Sequence, residues 1–364
     1  MVYKLQESDN ITTLAYGKGV YSTWLEKSSV PYYSTDLLNW SLGLIKSKVS
    51  GNPLIVDSTL VSSSDGYFIG VVRFDTVTPS KYDYYITRST DGREYTISPD
   101  DKLGSGDNFF ISKVKCIDDR IFIVDSSGNI YSTDKFENSL GDWTTYVTGL
   151  TDIYDLAWDG KSQVLFKLED EGEFASYNIK TQAKPVKLSS GIEVQSIVAY
   201  GAGVFVYYSI NQHVMYYASD ITEDWTEVEL QPEIDKPTPL SYPKLIYEGG
   251  YFILSGSSTI DPENGYYYNT FYSKDGKKWN KTPTKDNAFN PRGILYDGNN
   301  YIIYGSNGQD KPDTGFYPIQ YNNPFVKYSG YTFDQVYQNP PLPVSEGGHQ
   351  YIFLLIIVII ILSA

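Results

Sequence analysis

The sequence predicts an all-β chain, and three observations carry that prediction. Aromatic residues are abundant, with 35 Tyr and 16 Phe among 364 residues, and Tyr, Phe, Thr, Val and Ile fit a pleated, half-buried surface. The 30 Gly and 18 Pro are spread along the chain, as many short strands joined by tight turns require. No 3.6-residue apolar period is evident; instead two short phrases recur in alternation from one end to the other.

The first phrase is Ser-x-Asp-x₃-aromatic. It stands as Ser34, Asp36 and Trp40, again as Ser89, Asp91 and Tyr95, and again as Ser273, Asp275 and Trp279. Two looser copies keep the order. Ser132, Asp134 and Trp143 are stretched by an insertion, and Asp220 with Trp225 has Ala218 in place of Ser.

The second phrase is a short apolar strand, a turn containing Gly or Asp, and a second apolar strand. Its copies are AYGKGVYS (15–22), SSDGYFIGVV (63–72), IDDRIFIV (117–124), AWDGKSQVLF (157–166), AYGAGVFVYY (199–208), IYEGGYFILS (246–255) and LYDGNNYIIY (295–304). Each reads as a tight hairpin by its turn chemistry. With the first phrase in phase, one repeat is strand, Gly turn, strand, variable loop, strand, Asp turn, strand, recurring roughly every 45 residues. That is the blade of a β-propeller, and the count predicts seven four-stranded antiparallel blades. The lone strand-like stretch 2–6 is expected to complete the outer edge of the last blade and close the ring.

These phrases together resemble the Asp-box (BNR) repeat of the sialidase-like propellers, in a dense form like that of phage- and virus-encoded repeat proteins. The resemblance covers residues 1–328. It implies that Asp36, Asp91, Asp134, Asp220 and Asp275 are scaffold, each closing the turn between third and fourth strands while the aromatic fills the blade's flank. It also places the irregular segments 26–30, 75–85, 257–269 and 307–315 on the opposite face, with 99–108 and 231–240 as links between blades. Loops on a rigid scaffold commonly carry binding. Tyr82, Tyr84, Tyr85, Tyr266, Tyr267 and Tyr268 adjoin them and are candidate ligand-face residues, since Tyr joins a flat apolar ring to a polar tip. Packing between blades is the alternative for each.

Catalysis on the sialidase pattern is not expected. The chain has five arginines, Arg73, Arg88, Arg93, Arg120 and Arg292; two of them flank the turn at Asp91, and the Phe-Arg-Ile-Pro phrase of those enzymes is absent. The two histidines, His213 and His349, are far apart, which leaves little for a His-based metal site or triad. Asp100, Asp101 and Asp107 read as solvated acids rather than calcium ligands. The single cysteine, Cys116, excludes an internal disulfide framework and reads as a small core residue. No catalytic residue, metal site or cofactor is expected.

The net charge of −15 argues against nucleic acid as a partner, because phosphate backbones need a basic footprint. Residues 329–350 read as a Pro- and Gly-containing linker. Then comes an unbroken apolar run: Ile352, Phe353, Leu354, Leu355, Ile356, Ile357, Val358, Ile359, Ile360, Ile361 and Leu362. As a helix, 351–364 would span roughly 21 Å, short of the ~30 Å hydrocarbon core, yet too apolar to remain in water. It is expected to dock into protein or membrane. The first residues show no basic-then-apolar signal segment. Together these features lead to the expectation of a non-enzymatic virion protein, assembled in the host cytoplasm. Its propeller would bind a host glycan, a host surface protein or another virion protein, and a homo-oligomer is compatible with it. A tail-anchored intracellular interaction propeller and a sialidase-like glycosidase are the alternatives.

Overall fold

In the computed structural model the described residues are 11–25, 28–56, 59–75, 81–151, 153–168, 174–188, 196–210, 212–222, 224–230, 240–261, 265–281, 289–307 and 325–329. The chain divides into a compact unit Met1–Lys327 and a second, Tyr328–Ala364. Within the first unit the described chain is almost entirely strand, and its one helical element is the 3₁₀ turn Leu140–Asp142.

Six sheets are complete blades. Blade 1 runs Ile11–Gly17, Val20–Leu25, Pro31–Ser34, Ser41–Leu42, all antiparallel neighbours. Blades 3, 4 and 5 repeat that plan, starting from Ile111–Ile117, Ile153–Trp158 and Ser196–Gly201. Blades 2 and 6 gain a further outer strand from the connection that enters them. Leu44–Ser47 lies parallel to Glu94–Gly106, and Glu229–Leu230 lies parallel to Lys278–Lys281. The seventh sheet has three strands, Phe289–Tyr296, Asn300–Asn307 and Phe325–Ser329.

Six complete blades correct the expectation of seven four-stranded ones. The described residues place three strands in the last sheet and no fourth; the Ser-x-Asp phrase is lost beyond Asn307, but blade 4 also lacks it and still has four strands. The closing strand expected at 2–6 lies outside the described residues, as do the linker and the apolar run. A second correction concerns 99–108. Instead of a free link, Glu94–Gly106 is one long strand that bends through register shifts after Ile97 and Lys102. Likewise 257–269 is mostly an extended hairpin, Tyr251–Asp261 against Gly265–Ser273.

The innermost strands follow one another around an axis. Ile11–Gly17 neighbours Val61–Ser62, which neighbours Ile111–Ile117; then come Ile153–Trp158, Ser196–Gly201, Ser241–Glu248 and Phe289–Tyr296, which returns to Ile11–Gly17. Such a ring surrounds a central channel. Apolar clusters fill the spaces between blades, for example Trp24, Phe68 and Tyr95 between blades 1 and 2 and Phe122, Trp158 and Phe166 between 3 and 4. Because both faces of a blade are covered, second strands such as Val20–Leu25 and Val204–Ser209 are buried at every residue, and alternation disappears. The aromatic richness is therefore mortar between blades.

Candidate functional site: the channel wall

The Ser-x-Asp turns form one repeated local structure. In each of three copies the Ser hydroxyl donates to Asp Oδ1 and accepts the N–H of the residue after the Asp, as Leu37 (3.0 Å), Gly92 (2.9 Å) and Gly276 (2.9 Å). The same Oδ1 accepts two further N–H groups: Leu38 and Asn39, Arg93 and Glu94, Lys277 and Lys278. The residue after the Asp has positive φ in all three, +64° at Leu37, +69° at Gly92 and +71° at Gly276, a region costly for any side chain but Gly. The indoles of Trp40 and Trp279, fully buried, donate back to Leu37 O (3.1 Å) and Gly276 O (2.9 Å). Tyr95 is buried too and bonds Ser22 Oγ at 2.7 Å.

The looser copies have diverged. Asp134 is 63 % exposed and pairs with Arg120 at 3.3 Å, while Ser132 Oγ is buried with no hydrogen-bond partner among the described residues. Trp143 reaches Asn138 O instead (3.1 Å). Asp220 caps Thr222, and Trp225 stacks on Phe174. All five carboxylates close their own turns or pair at the surface, and none converges with another on a common cleft.

The candidate ligand-face tyrosines are packed where they are described. Tyr84 and Tyr85 are buried, edge-on to Phe109 and Phe74, and Tyr82 lies beneath the Arg73 guanidinium, 4.8 Å from its ring centroid. Tyr266, Tyr267 and Tyr268 pair through the backbone with Thr259, Ser258 and Ser257; their side chains lie outside the described residues. Asp101 corrects another expectation: it is buried, pairs with Arg88 and accepts the Leu140 N–H at 3.0 Å. Cys116 is half-buried, and burial pushes its thiol pKa up, far from a reactive thiolate. His213 sits at φ +57° in a hairpin turn. Among the described residues no three His, Cys, Asp or Glu side chains are placed to hold a metal ion, and no helix is long and apolar enough to cross a membrane.

Charge gathers instead on the channel wall. Asp155 is 2 % exposed. Its Oδ1 pairs with Lys115 Nζ at 2.7 Å and Lys113 Nζ at 3.2 Å, while Oδ2 accepts the Val198 N–H at 3.0 Å. Lys115 also donates to Leu156 O (2.8 Å) and Val198 O (3.1 Å). Its three N–H donors are thus all matched, and the pair ties together the innermost strands of blades 3, 4 and 5. Burial alone would raise the Asp155 carboxyl, but the charges of Lys113 and Lys115 hold it at about 2.

Lys244 of blade 6 stands close enough to Lys113, Asp155 and Lys115 to feel their charge, and Arg292 of the three-stranded sheet lies close enough to act on Lys244. Neither has a hydrogen-bond or ion-pair partner among the described residues. Burial, then the nearby Lys113, pull Lys244 down to about 8. Two lysines therefore share one carboxylate, and Lys244 and the exposed Arg292 add two more cations on neighbouring innermost strands, in a chain whose net charge is −15.

Backbone geometry aims these side chains. Register shifts fall between Ile111 and Lys113, Ile153 and Asp155, Ser241 and Lys244, and Pro291 and Gly293. Lys113, Asp155 and Lys244 each follow such a bulge directly, and Arg292 lies within one. Bulges bend a strand and re-aim its side chains, and are common beside functional sites. At the other end of the same strands, beside the hairpin turns, the charge reverses: Asp118, Asp119, Asp159 and Glu248 gather there. Glu248 reaches solvent, yet the protein enclosing it raises its carboxyl to about 7.

Sequence reasoning missed this cluster. The available signal was a charged residue a few positions ahead of each hairpin, in SKVKCIDD, IYDLAWDG, YPKLIYEGG and NPRGILYDG, where apolar residues otherwise dominate.

No family model matches the chain, and no curated protein matches it. Solved structures do match, and they show the fold alone. A streptogramin B lyase aligns at TM-score 0.53 and 12 % identity, covering 83 % of this chain and 93 % of that one. YCF48 from Cyanidioschyzon merolae aligns at 0.54 and 15 % identity, covering 85 % and 96 %; a YCF48 bound to a D1 peptide aligns at 0.53. U3-55K aligns at 0.56 and 9 % identity, covering 90 % and 97 %. The chain is a β-propeller.

Proposed function

We propose that this chain is a non-enzymatic binding protein of a virus or phage particle, a tail, vertex or spike component. Its propeller, with turns of Asp-box type, is the rigid recognition module, and the apolar segment 352–362 docks it in the particle or in a membrane. The observation that carries the reading is the joining of two parts with opposite demands. One is a β-propeller whose carboxylate turns serve its own scaffold. The other is an uninterrupted apolar run that water does not tolerate. That a propeller of similar fold is known with a bound peptide supports protein recognition as a use of such a scaffold. A host glycan, a host surface protein or another virion protein are the partner classes.

Truncation after Ser329 tests this. The truncated protein should be soluble and folded but absent from assembled particles, whereas the full chain should require detergent, lipid or a protein partner. A full-length chain that is soluble and monomeric without additives would defeat the docking role. Normal incorporation of the truncated form would assign docking to the propeller.

A further inference from the structure

The channel wall holds more positive charge than its own carboxylate can match. Lys115 is fully engaged by Asp155 and two backbone carbonyls. Lys113 is 28 % exposed and makes one ion pair, to an oxygen it shares with Lys115. Lys244 and Arg292 have no partner among the described residues. Holding cations together in a partly enclosed space is unfavourable unless something of opposite charge joins them. A narrow cleft of one sign also focuses its field and concentrates counter-ions. The other lysine–carboxylate pairs among the described residues, Lys46–Glu94 and Lys102–Asp83, match one cation to one carboxylate, whereas on the channel wall one carboxylate serves two lysines.

We infer that the bulge end of the central channel is a binding site for a small, multiply charged oxyanion of the phosphate class, held by Lys113, Lys244 and Arg292. Lys115 and Asp155 act as positioning residues that fix the wall behind it. Lysine supplies compact point charges with rotatable donors, and arginine a planar fork; both suit phosphate oxygens. The carboxylates at the hairpin end repel an anion and confine it to the cationic end. This inference rests on reading the propeller as a binding module, and names what one part of it binds.

Lys244 makes the site sensitive to pH. The groups facing it are Lys113 and Lys115 from blade 3, Asp155 from blade 4 and Arg292 from the three-stranded sheet. With its pKa drawn down to about 8 by burial and by these cations, Lys244 loses its proton as pH rises through that value. An arriving anion favours the charged form, so binding takes up a proton near pH 8 and weakens above it.

Calorimetric titration of the full-length protein with inorganic phosphate and pyrophosphate, against chloride at matched ionic strength, tests the site. Both should bind, pyrophosphate more tightly, and affinity should fall between pH 7 and pH 9.5. Lys244→Gln and Arg292→Gln should each weaken pyrophosphate about tenfold or more, the loss of one charged hydrogen bond. The surface variant Lys180→Gln should change nothing. Absence of binding by the wild-type protein, or equal losses in Lys180→Gln and Lys244→Gln, would overturn the inference. Either result leaves docking through 352–362 standing, because incorporation of the truncated chain is measured separately.

Discussion

Asp275 and Asp155 are both carboxylates that accept backbone N–H groups, but they differ in what is left unmatched around them. At Asp275 the Ser273 hydroxyl, two backbone donors and the Trp279 indole all find partners within one turn. At Asp155 one carboxylate serves two lysines, and Lys244 and Arg292 stand nearby with no partner among the described residues. A locally complete network specifies a shape and offers nothing to a ligand. An incomplete one leaves charge available. The propeller places the complete networks in its turns and the incomplete one on its axis.

Truncation of the central member of each network should break the contrast most forcefully. Trp279→Ala removes a fully buried ring packed near Phe252 and should cost about 3–5 kcal/mol. Asp155→Ala leaves Lys113, Lys115 and the Val198 N–H unmatched and should cost a similar amount, about 3–5 kcal/mol. Denaturant midpoints measure both. The milder Asp155→Asn separates the networks: with its negative charge gone, the channel should bind pyrophosphate more tightly than wild type. A weaker response would mean that Asp155 contributes to the ligand directly, contrary to its positioning role.

The serines sharpen the comparison at intermediate size. Ser273→Ala deletes a hydroxyl that accepts the buried Gly276 N–H and has Lys278 O at 2.6 Å and Asp275 Oδ1 at 3.1 Å within donating reach, so it should destabilise by about 1–3 kcal/mol. Ser132→Ala deletes a buried hydroxyl with no partner among the described residues, and should be neutral or stabilising within about 1 kcal/mol. Thermal melts of the two variants should move apart. Equal destabilisation would show that Ser132 has a partner the present contacts do not reveal.

The same division explains what the sequence made legible. The turns could be read because each is local: donor, acceptor and ring fall within seven residues, so a fixed spacing carries the geometry. The hairpins were legible for the same reason, with paired positive φ at Lys18–Gly19, Ala202–Gly203 and Gly249–Gly250 written as Gly-containing phrases. The channel cluster is spread over four strands between Lys113 and Arg292, and only ring closure brings them together. No spacing rule encodes that. The count of complete blades failed at the end of the repeat, where the hairpin phrase marks the first two strands of a sheet but not whether a fourth strand joins it. Tyr82, Tyr84 and Tyr85 were ambiguous because a ring that packs between blades and one that stacks on a ligand look identical in one dimension.

The smallest expected effect lies at the acidic end of the channel and tests whether enclosure there is real. Glu248 accepts the Tyr296 N–H at 3.2 Å, and its carboxyl is raised from 4.5 to about 7, chiefly by burial. A raised carboxyl binds its proton more tightly in the folded chain than in the unfolded one. Its contribution therefore favours folding at low pH and fades as pH rises from about 4.5 to about 7, after which it is flat. Because solvent reaches the side chain, screening reduces the change to about 1 kcal/mol. Glu248→Gln keeps an acceptor for Tyr296 but cannot ionise. Wild type should lose stability between pH 5 and 7 relative to Glu248→Gln, and the two should run parallel above about pH 8, as followed by denaturant midpoint. Curves parallel from pH 5 upward would mean that Glu248 is as solvated as any surface acid. The contrast between the two ends of the channel would then rest on the cations alone.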